Sequence, residues 1–276
     1  MRVRKRVLVA KFFADRGPHL AAMVAYFALL SFVPLTFIAL ALLGVAHRAD
    51  ASDFLVKELS RAFPGSSVKS ILSLVHKVQD NSATLGIVGG VVLLWSSLSL
   101  FSALESAFNI VYGRPNRSFL KGKGVALVLM VGTITTLFGS LVVGAFGVEV
   151  LKRYAPGFVG NSVVAYIVSI GVSLLGVFVF LLAVYRLLTN APVTLRDALP
   201  GAVVAAIILE ASFQVLPVFV RGADVNPVLQ VLGGPTILLL WLYVMANVIV
   251  FGAELNWWFS ERRTLRTGAA PIDGLA

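Results

Sequence analysis

The chain has 276 residues, of which 58% are hydrophobic and only 13% are charged. Soluble domains carry about a quarter charged residues, so this composition excludes an ordinary soluble protein and indicates an integral membrane protein. The formal net charge is +10. Because the Lys and Arg residues lie mostly beside apolar runs, where anionic lipid headgroups attract them, we do not expect nucleic-acid binding. Cysteine is absent, which excludes disulfides and thiolate metal sites.

Six apolar runs are each long enough to span a bilayer as a helix, which needs about 20 residues. The first follows a basic segment, as in a signal peptide, but it exceeds the roughly 7–15 residues of a signal-peptide core. Open strands cannot span lipid, because their backbone would be left without hydrogen bonds. The sequence therefore predicts an all-α, polytopic fold that forms a single membrane domain over residues 1–276. The predicted spans are 20–46, 82–112, 124–148, 160–185, 199–220 and 235–259.

The distribution of Lys and Arg predicts the orientation of these spans. Fifteen of the 23 Lys and Arg residues fall in the N-terminal segment, the loops after spans two and four, and the C-terminal segment. Cytoplasmic loops carry the excess of positive charge, so both termini are predicted to be cytoplasmic. The long loop 47–81 is then extracytoplasmic, and its helical apolar spacing predicts two short amphipathic helices. The tail 260–276 is predicted to be disordered.

Signals of a soluble enzyme are missing from the sequence. The three histidines, His19, His47 and His76, are too scattered for a metal site. Neither a GxxxxGK[ST] phosphate loop nor a GxSxG nucleophile elbow occurs. We therefore expect no catalytic residue, no metal site and no cofactor, and we expect that the protein is not an enzyme.

Glu210 is the most notable polar residue, because it lies near the centre of the fifth predicted span. Ionisable groups in a span are costly and usually face the interior of the bundle. Gln214 lies one turn further on the same helix face, and Pro217 can bend the helix beyond it. Depth favours a functional role for Glu210 over the alternative, a simple hydrogen bond to a neighbouring helix.

Two further carboxylates, Glu105 and Glu254, lie towards the cytoplasmic ends of their spans. Ordinary solvation explains them as well as function does. Arg186, at the inner end of span four, either pairs with one of them or extends to the headgroups. Asn247 and Asn256, both in span six, complete the candidate substrate site.

Small and aromatic residues suggest structural roles. The glycines of spans three and four are expected to allow close helix packing, and Trp257 and Trp258 are expected to anchor span six at the interface. The segment Gly233–Pro235 is compatible with either a re-entrant turn or a plain loop. The glycines concerned are Gly132, Gly139, Gly144, Gly147, Gly171 and Gly176.

Three ordered motifs resemble signatures of the YihY/BrkB inner-membrane family, from about His19 to Trp257. Span one contains AYFALLSFVPLTFIALALLG, span two contains LLWSSLSLFSALESAFNIVYG, and span six contains LLLWLYVMANVIVFGAELN. The ADVNPV stretch and Pro235 depart from the Tyr- and Gly-rich approach to span six in that family. The matching residues are Tyr26, Ser31 and Pro34; Trp95, Ser96, Ala103, Leu104 and Asn109; and Trp241, Leu242, Tyr243, Gly252, Ala253, Glu254 and Asn256.

The resemblance implies a multi-pass protein of the bacterial cytoplasmic membrane whose function is not settled. Members carry the labels ribonuclease BN and virulence factor, and some are linked to lipid export. The buried polar residues favour a transporter or flippase for a lipid or an amphipathic anion, which would bind membrane lipids and anionic headgroups. The alternative is a structural or interaction protein of the cell envelope, and a homo-oligomer is compatible with either. A ribonuclease is disfavoured, because the cytoplasmic acids are dispersed.

Overall fold

The computed structural model describes residues 7–45, 82–133, 135, 162–225 and 234–267, and within these ranges every regular element is a helix. The predicted all-α class is therefore confirmed. The predicted outer loop 47–81 and the segment 139–147 lie outside the described residues, as does the start of Gly233–Pro235. The helices are α1 (Val7–Ala14), α2 (Gly17–Val45), α3 (Ser82–Val111), α4 (119–133), α5 (Ser162–Leu188), α6 (Leu195–Val225) and α7 (Gly234–Thr267).

Within the described residues, three helical stretches are long and apolar enough to cross a membrane. They are Ile170–Leu188, Leu195–Val215 and Thr236–Arg263, in α5, α6 and α7. These stretches overlap the fourth, fifth and sixth predicted spans. The number of six spans and the orientation of the termini remain predictions.

The described bundle exposes apolar side chains and buries polar ones. On α5, Val172, Leu175 and Val179 are exposed, whereas the carboxylates of Glu210 and Glu254 are buried. Large exposed apolar surfaces are uncommon on soluble monomers, and in lipid they cost nothing. This distribution of side chains fits a protein whose solvent is a bilayer.

The backbones of α6 and α7 come together at two glycines. A Cβ atom on Gly201 would overlap the Gly252 carbonyl oxygen, and one on Gly252 would overlap the Tyr185 hydroxyl. The Asn256 side chain accepts a hydrogen bond of 2.6 Å from the Gly201 backbone N–H, and the Tyr185 hydroxyl donates to the Ile249 carbonyl. Small residues therefore allow α7 to pack closely against α6 at this level, and the Tyr185 side chain of α5 reaches the same crossing.

The close packing predicted for the glycines of spans three and four is wrong wherever the structure describes them. Cβ atoms on Gly132, Gly171 and Gly176 would meet nothing within 4 Å. These glycines therefore do not lie at a close crossing between two of the described helices.

Helix α1 is an element that the sequence analysis did not predict. It ends at Ala14, and in the turn that follows Arg16 has a positive φ of 57°, the left-handed conformation that commonly ends helices. Phe12 then lies against Gly17, at which any Cβ would overlap its ring. Phe12 also packs edge-on against Phe251 of α7, with ring centroids 5.7 Å apart. The basic N-terminal segment thus continues into a helix that is docked on the bundle.

Helix α6 begins with a reciprocal cap. Asp197 accepts hydrogen bonds from both the backbone N–H and the hydroxyl of Thr194, while its own N–H donates to the Thr194 carbonyl. This arrangement satisfies N–H groups that the first helical turn leaves without partners. Its contribution to stability is about 1 kcal/mol.

The predicted disorder of 260–276 is wrong for its first eight residues, because α7 continues to Thr267. Arg263 donates a hydrogen bond of 2.7 Å to Asp197, and the Arg262 guanidinium lies 3.5 Å from the ring centroid of Trp258. Ser260 is buried. These contacts hold the last turns of α7 in the bundle, while residues 268–276 lie outside the described part of the chain.

Candidate functional site

Polar contacts bring four segments together at one end of the bundle, which we call the basic end. The segments are α1, the connection 112–118, the connection 189–194 and the last turns of α7. Three contacts define it: Lys11 with Glu254, Arg117 with Thr189, and Arg263 with Asp197. These are the segments that the count of Lys and Arg assigns to one side of the membrane.

A buried cluster around Lys11 joins α1 to α7. The Lys11 ammonium forms an ion pair with Asp15 on its own helix, and it lies 3.1 Å from Oε2 of Glu254. It also donates a 2.7 Å hydrogen bond to the Val111 carbonyl and lies 4.2 Å from the ring centroid of Trp257. Trp257 is therefore a wall of this cluster, in contrast to the lipid anchor that we expected.

Glu254 is more completely buried than its partners in the Lys11 cluster. Its side chain has 0% exposure, whereas those of Lys11 and Asp15 have 16% and 22%. Its Oε1 atom is buried and accepts no hydrogen bond from any described residue. A buried polar atom without a partner is rare and costly, so this oxygen is an unusual feature of the basic end.

Glu105 belongs to a second buried pair at the same end. Its Oε1 atom accepts a hydrogen bond of 3.1 Å from the Arg117 guanidinium. The same guanidinium donates to the carbonyls of Leu188 and Thr189, which lack partners at the end of α5. Arg117 therefore connects α3 to the end of α5, because it donates hydrogen bonds both to the Glu105 carboxylate and to the last carbonyls of α5.

Asn109 completes the polar face that the spacing of Ser102, Glu105 and Asn109 indicates. Its side-chain oxygen accepts a hydrogen bond of 2.7 Å from the Asn190 backbone N–H, and its amide donates to the side chain of Asn116. Ser102 accepts a hydrogen bond of 3.0 Å from Lys123. Ser102 therefore contacts α4, and Glu105 contacts the connection 112–118. Asn109 contacts both that connection and the connection 189–194.

Glu210 lies deeper in the bundle, between α5 and α6. Its Oε2 atom accepts a hydrogen bond of 2.7 Å from the Ser173 hydroxyl, and its Oε1 atom accepts one of 2.9 Å from the Gln214 amide. The expected neighbourhood of Glu210 and Gln214 is present, with Glu210 buried and Gln214 exposed. The contact with Ser173 is a hydrogen bond to a neighbouring helix, which is the structural role that we gave as the alternative to a functional one. A functional role for Glu210 as an ionisable acid remains a prediction.

Among the described contacts, Arg186 and Asn247 do not pair with any of the three buried carboxylates. Arg186 is exposed, and the structure pairs Glu105 with Arg117 and Glu254 with Lys11 in its place. Asn247 is half-buried, and its amide donates a hydrogen bond of 2.8 Å to the Tyr243 carbonyl on its own helix. Of the seven candidate residues, only Glu210 and Gln214 are hydrogen-bonded to each other within the described residues.

A cleft of about 460 Å³ opens between α4 and α5 at the basic end. Its charged lining residues are Arg117 and Lys121, and the rest of its lining is formed by Gly124, Val125, Val128, Leu129 and Leu187. Lys121 is exposed and makes no hydrogen bond or ion pair within the described ranges. The cleft therefore combines one free cation with an aliphatic wall.

Sequence reasoning missed Lys11, Arg117 and Lys121. A single Lys within the apolar VLVAKFFA segment is a signal for Lys11, because an isolated charge among apolar residues needs a partner. Arg117 and Lys121 follow a span as ordinary interfacial residues do, and their spacing gives no signal of a cleft.

The sequence matches the family described as Virulence factor BrkB over residues 8–273. The chain belongs to the BrkB virulence-factor family. This membership confirms the resemblance drawn from the three motifs, and it covers α1 as well as the spans. Members with curated names include proteins described as membrane proteins of the UPF0761 group.

Three bacterial relatives show how far the similarity extends. The chain is 27% identical to the ribonuclease-like protein YfkH of Bacillus subtilis, over 94% of this chain and 95% of that protein. It is 28% identical to a UPF0761 membrane protein of Cronobacter sakazakii, over 92% and 88% of the two chains. The UPF0761 membrane protein azo3165 of Azoarcus is also 28% identical, but the match spans 91% of this chain and 62% of that longer protein. No solved structure matches the chain.

Proposed function

We propose that this BrkB-family membrane protein transports or flips an anionic phospholipid or a similar amphipathic anion in the bacterial cytoplasmic membrane. The observation that carries the proposal is the cleft between α4 and α5. A phospholipid has an anionic headgroup beside long apolar chains, and the cleft has Lys121 and Arg117 beside an aliphatic wall.

The charges around the cleft favour an anion. Arg117 is paired with Glu105, so these two side chains sum to no net charge, and Lys121 leaves the cleft with one positive charge. Charge-assisted hydrogen bonds to phosphate are among the strong ones in proteins. A zwitterionic lipid carries no net charge to match, so an anionic headgroup is the better ligand.

The surroundings of the cleft favour a ligand that arrives from the bilayer. Phe119 and Leu120, at the start of α4, are 76% and 82% exposed. Apolar residues beside a cation at a helix end are typical of the membrane interface. A lipid can therefore reach the cleft laterally, with its headgroup at the level of Lys121.

A lipid-flipping assay tests the proposal. The purified protein is reconstituted in liposomes with a fluorescent phosphatidylglycerol, and the outer leaflet is quenched with a membrane-impermeant reductant. With the unsubstituted protein, we expect flipping to bring the labelled lipid of the inner leaflet to the reductant, so that the protected fraction of the fluorescence is lost. Gly124→Leu should abolish flipping by filling the cleft. Gly132→Leu is the matched control, because Gly132 lies on the same helix and does not line the cleft. Equal flipping by both variants, or no flipping by the unsubstituted protein, would contradict the proposal.

We further propose that the chain is not an enzyme. YfkH carries a ribonuclease-like name, but the described residues contain no group of three His, Asp or Glu side chains that could hold a metal ion. Purified protein should leave RNA intact. RNA degradation with turnover, lost on a single point substitution, would overturn this proposal.

The alternative role as an envelope interaction protein depends on loop 47–81, which lies outside the described residues. If this alternative holds, the reconstituted protein will not flip lipid in liposomes, and deletion of loop 47–81 alone will reproduce the phenotype of losing the protein.

A further inference from the structure

The Lys11 cluster contains more acid than base. Lys11 contributes one positive charge, while Asp15 and Glu254 both contact its ammonium and contribute two negative charges when ionised. Glu254 has no exposed surface, and its Oε1 atom has no hydrogen-bond partner among the described residues. With both acids ionised, the cluster is one positive charge short of neutrality. Burying an uncompensated charge in this way is strongly unfavourable.

We propose that Glu254 is a proton-binding site, and that Lys11 and Asp15 set the balance between its two protonation states. One proton on Glu254 makes the cluster neutral. Oε1 is the atom that takes it, since Oε2 already contacts the Lys11 ammonium. The proton comes from water at the basic end and returns to it, because Asp15 and Lys11 are partly exposed. No other reactant is needed.

The groups that face Glu254 come from three elements. Helix α1 supplies Lys11 and Asp15, and α7 itself supplies the Trp257 ring that flanks the ammonium. The connection after α3 supplies the buried Tyr112 phenol, which lies within electrostatic range of both Glu254 and Asp197. Lys11 is the cation in contact with Glu254 among these described groups, so the proton and the ammonium act on the same carboxylate.

Protonation then changes how α1 is held. An ionised Glu254 attracts Lys11 across the interface between α1 and α7, whereas a neutral Glu254 leaves Lys11 to Asp15 on its own helix. The opposite face of α1 exposes Val9 and Phe13, which favour the membrane interface. Proton binding therefore loosens α1 from α7 without exposing it to unfavourable surroundings. This consequence rests on the proposed function only where the proton is taken to be the coupling ion of transport.

Infrared spectroscopy of the full-length protein in lipid nanodiscs tests the proton site directly. We expect a carboxylic-acid C=O stretching band that is present near neutral pH, titrates with pH, and is lost in Glu254→Gln. Glu105→Gln is the control and should keep the band, because Glu105 is paired with Arg117. In Asp15→Asn the cluster is neutral without a proton, so the band should appear only at a proton concentration at least ten-fold higher. Asp15 is partly exposed, so this second variant is expected to fold even where Glu254→Gln does not. Absence of the band in the unsubstituted protein, or a band indifferent to both substitutions, would overturn the proton site.

Lipid flipping in liposomes with and without a pH gradient tests the coupling. We expect the gradient to accelerate flipping by the unsubstituted protein several-fold and to have no effect on Asp15→Asn. Flipping that is indifferent to the gradient in both proteins would overturn the coupling. Absence of flipping altogether would overturn the proposed function, whereas the infrared band still decides whether Glu254 binds a proton.

Discussion

The Lys11 ammonium lies 3.1 Å from Oε2 of Glu254, although 243 residues separate them along the chain. Through this contact, α1 is held against α7. A second long-range ion pair, Arg117 with Glu105, holds the connection after α3 against α3 itself and the end of α5. The basic end is therefore held together by polar contacts between distant segments, and the proposed lipid cleft lies at this end of the bundle.

The glycine contact between α6 and α7 predicts which small residues the fold requires. Gly201→Ala and Gly252→Ala each place a methyl group into occupied space, and overpacking of this kind costs about 1–3 kcal/mol. Gly171→Ala and Gly176→Ala place it in open space, and they should match or slightly exceed the original stability. Thermal unfolding in detergent measures all four. Equal losses at the two pairs of sites would contradict the described packing.

Asp197 is predicted to stabilise the start of α6 and the end of α7 together. Asp197→Ala removes the reciprocal cap with Thr194 and the ion pair with Arg263, which should lower the stability by about 1–2 kcal/mol. Arg263 is half-exposed, so Arg263→Ala should cost less than 1 kcal/mol. The order of the two melting temperatures checks this, and a larger loss in Arg263→Ala would be contrary to it.

The role of Glu210 separates into a hydrogen bond and an ionisable acid. Glu210→Gln keeps the shape and one acceptor oxygen, so the protein should fold, with a loss of about 1 kcal/mol. A carboxylate at the centre of a span costs about 2.5–3.5 kcal/mol, and we expect that transport uses it and is lost in this variant. Ser173→Ala is the control, because it removes the interhelical bond and keeps the acid. Full transport by Glu210→Gln would refute the ionisable role, and normal transport by Glu210→Ala would remove Glu210 from the mechanism.

The predicted orientation can be tested with reporter fusions. Lys and Arg are divided fifteen to eight between the two sides of the predicted topology, so fusions at Gly65 and Gly268 should report opposite sides of the membrane. Reporters on the same side would rule out six spans with both termini in the cytoplasm.

Features that depend on local periodicity could be predicted from the sequence. Glu210 and Gln214 are one turn apart and are hydrogen-bonded, because the rise and rotation of a helix fix their relation. The shared face of Ser102, Glu105 and Asn109 follows for the same reason. The helices lie close to the predicted spans because long uncharged runs leave the backbone no other way to satisfy its hydrogen bonds in lipid.

Features that depend on contacts between distant segments could not be predicted. Arg117 and Lys11 became the partners of Glu105 and Glu254 because of how the connections fold back, which no spacing encodes. Glycines are frequent in several spans, and only the rotation of each helix decides that Gly201 lies at a crossing and Gly171 does not. Helix α1 could not be predicted because its eight residues are too few to span a bilayer and, apart from Lys11, are all apolar.

The most direct test of the lipid cleft is photo-crosslinking with a phosphatidylglycerol that carries a diazirine in an acyl chain, with the adducts mapped by mass spectrometry. We predict adducts concentrated at Val125, Val128 and Leu129, reduced in Lys121→Glu and in Gly124→Leu, and unchanged in Gly132→Leu. A phosphatidylcholine probe should label these residues more weakly. Labelling of the cleft no stronger than that of the exposed Val172 and Val179 on α5, and indifferent to headgroup charge, would contradict a site for an anionic lipid.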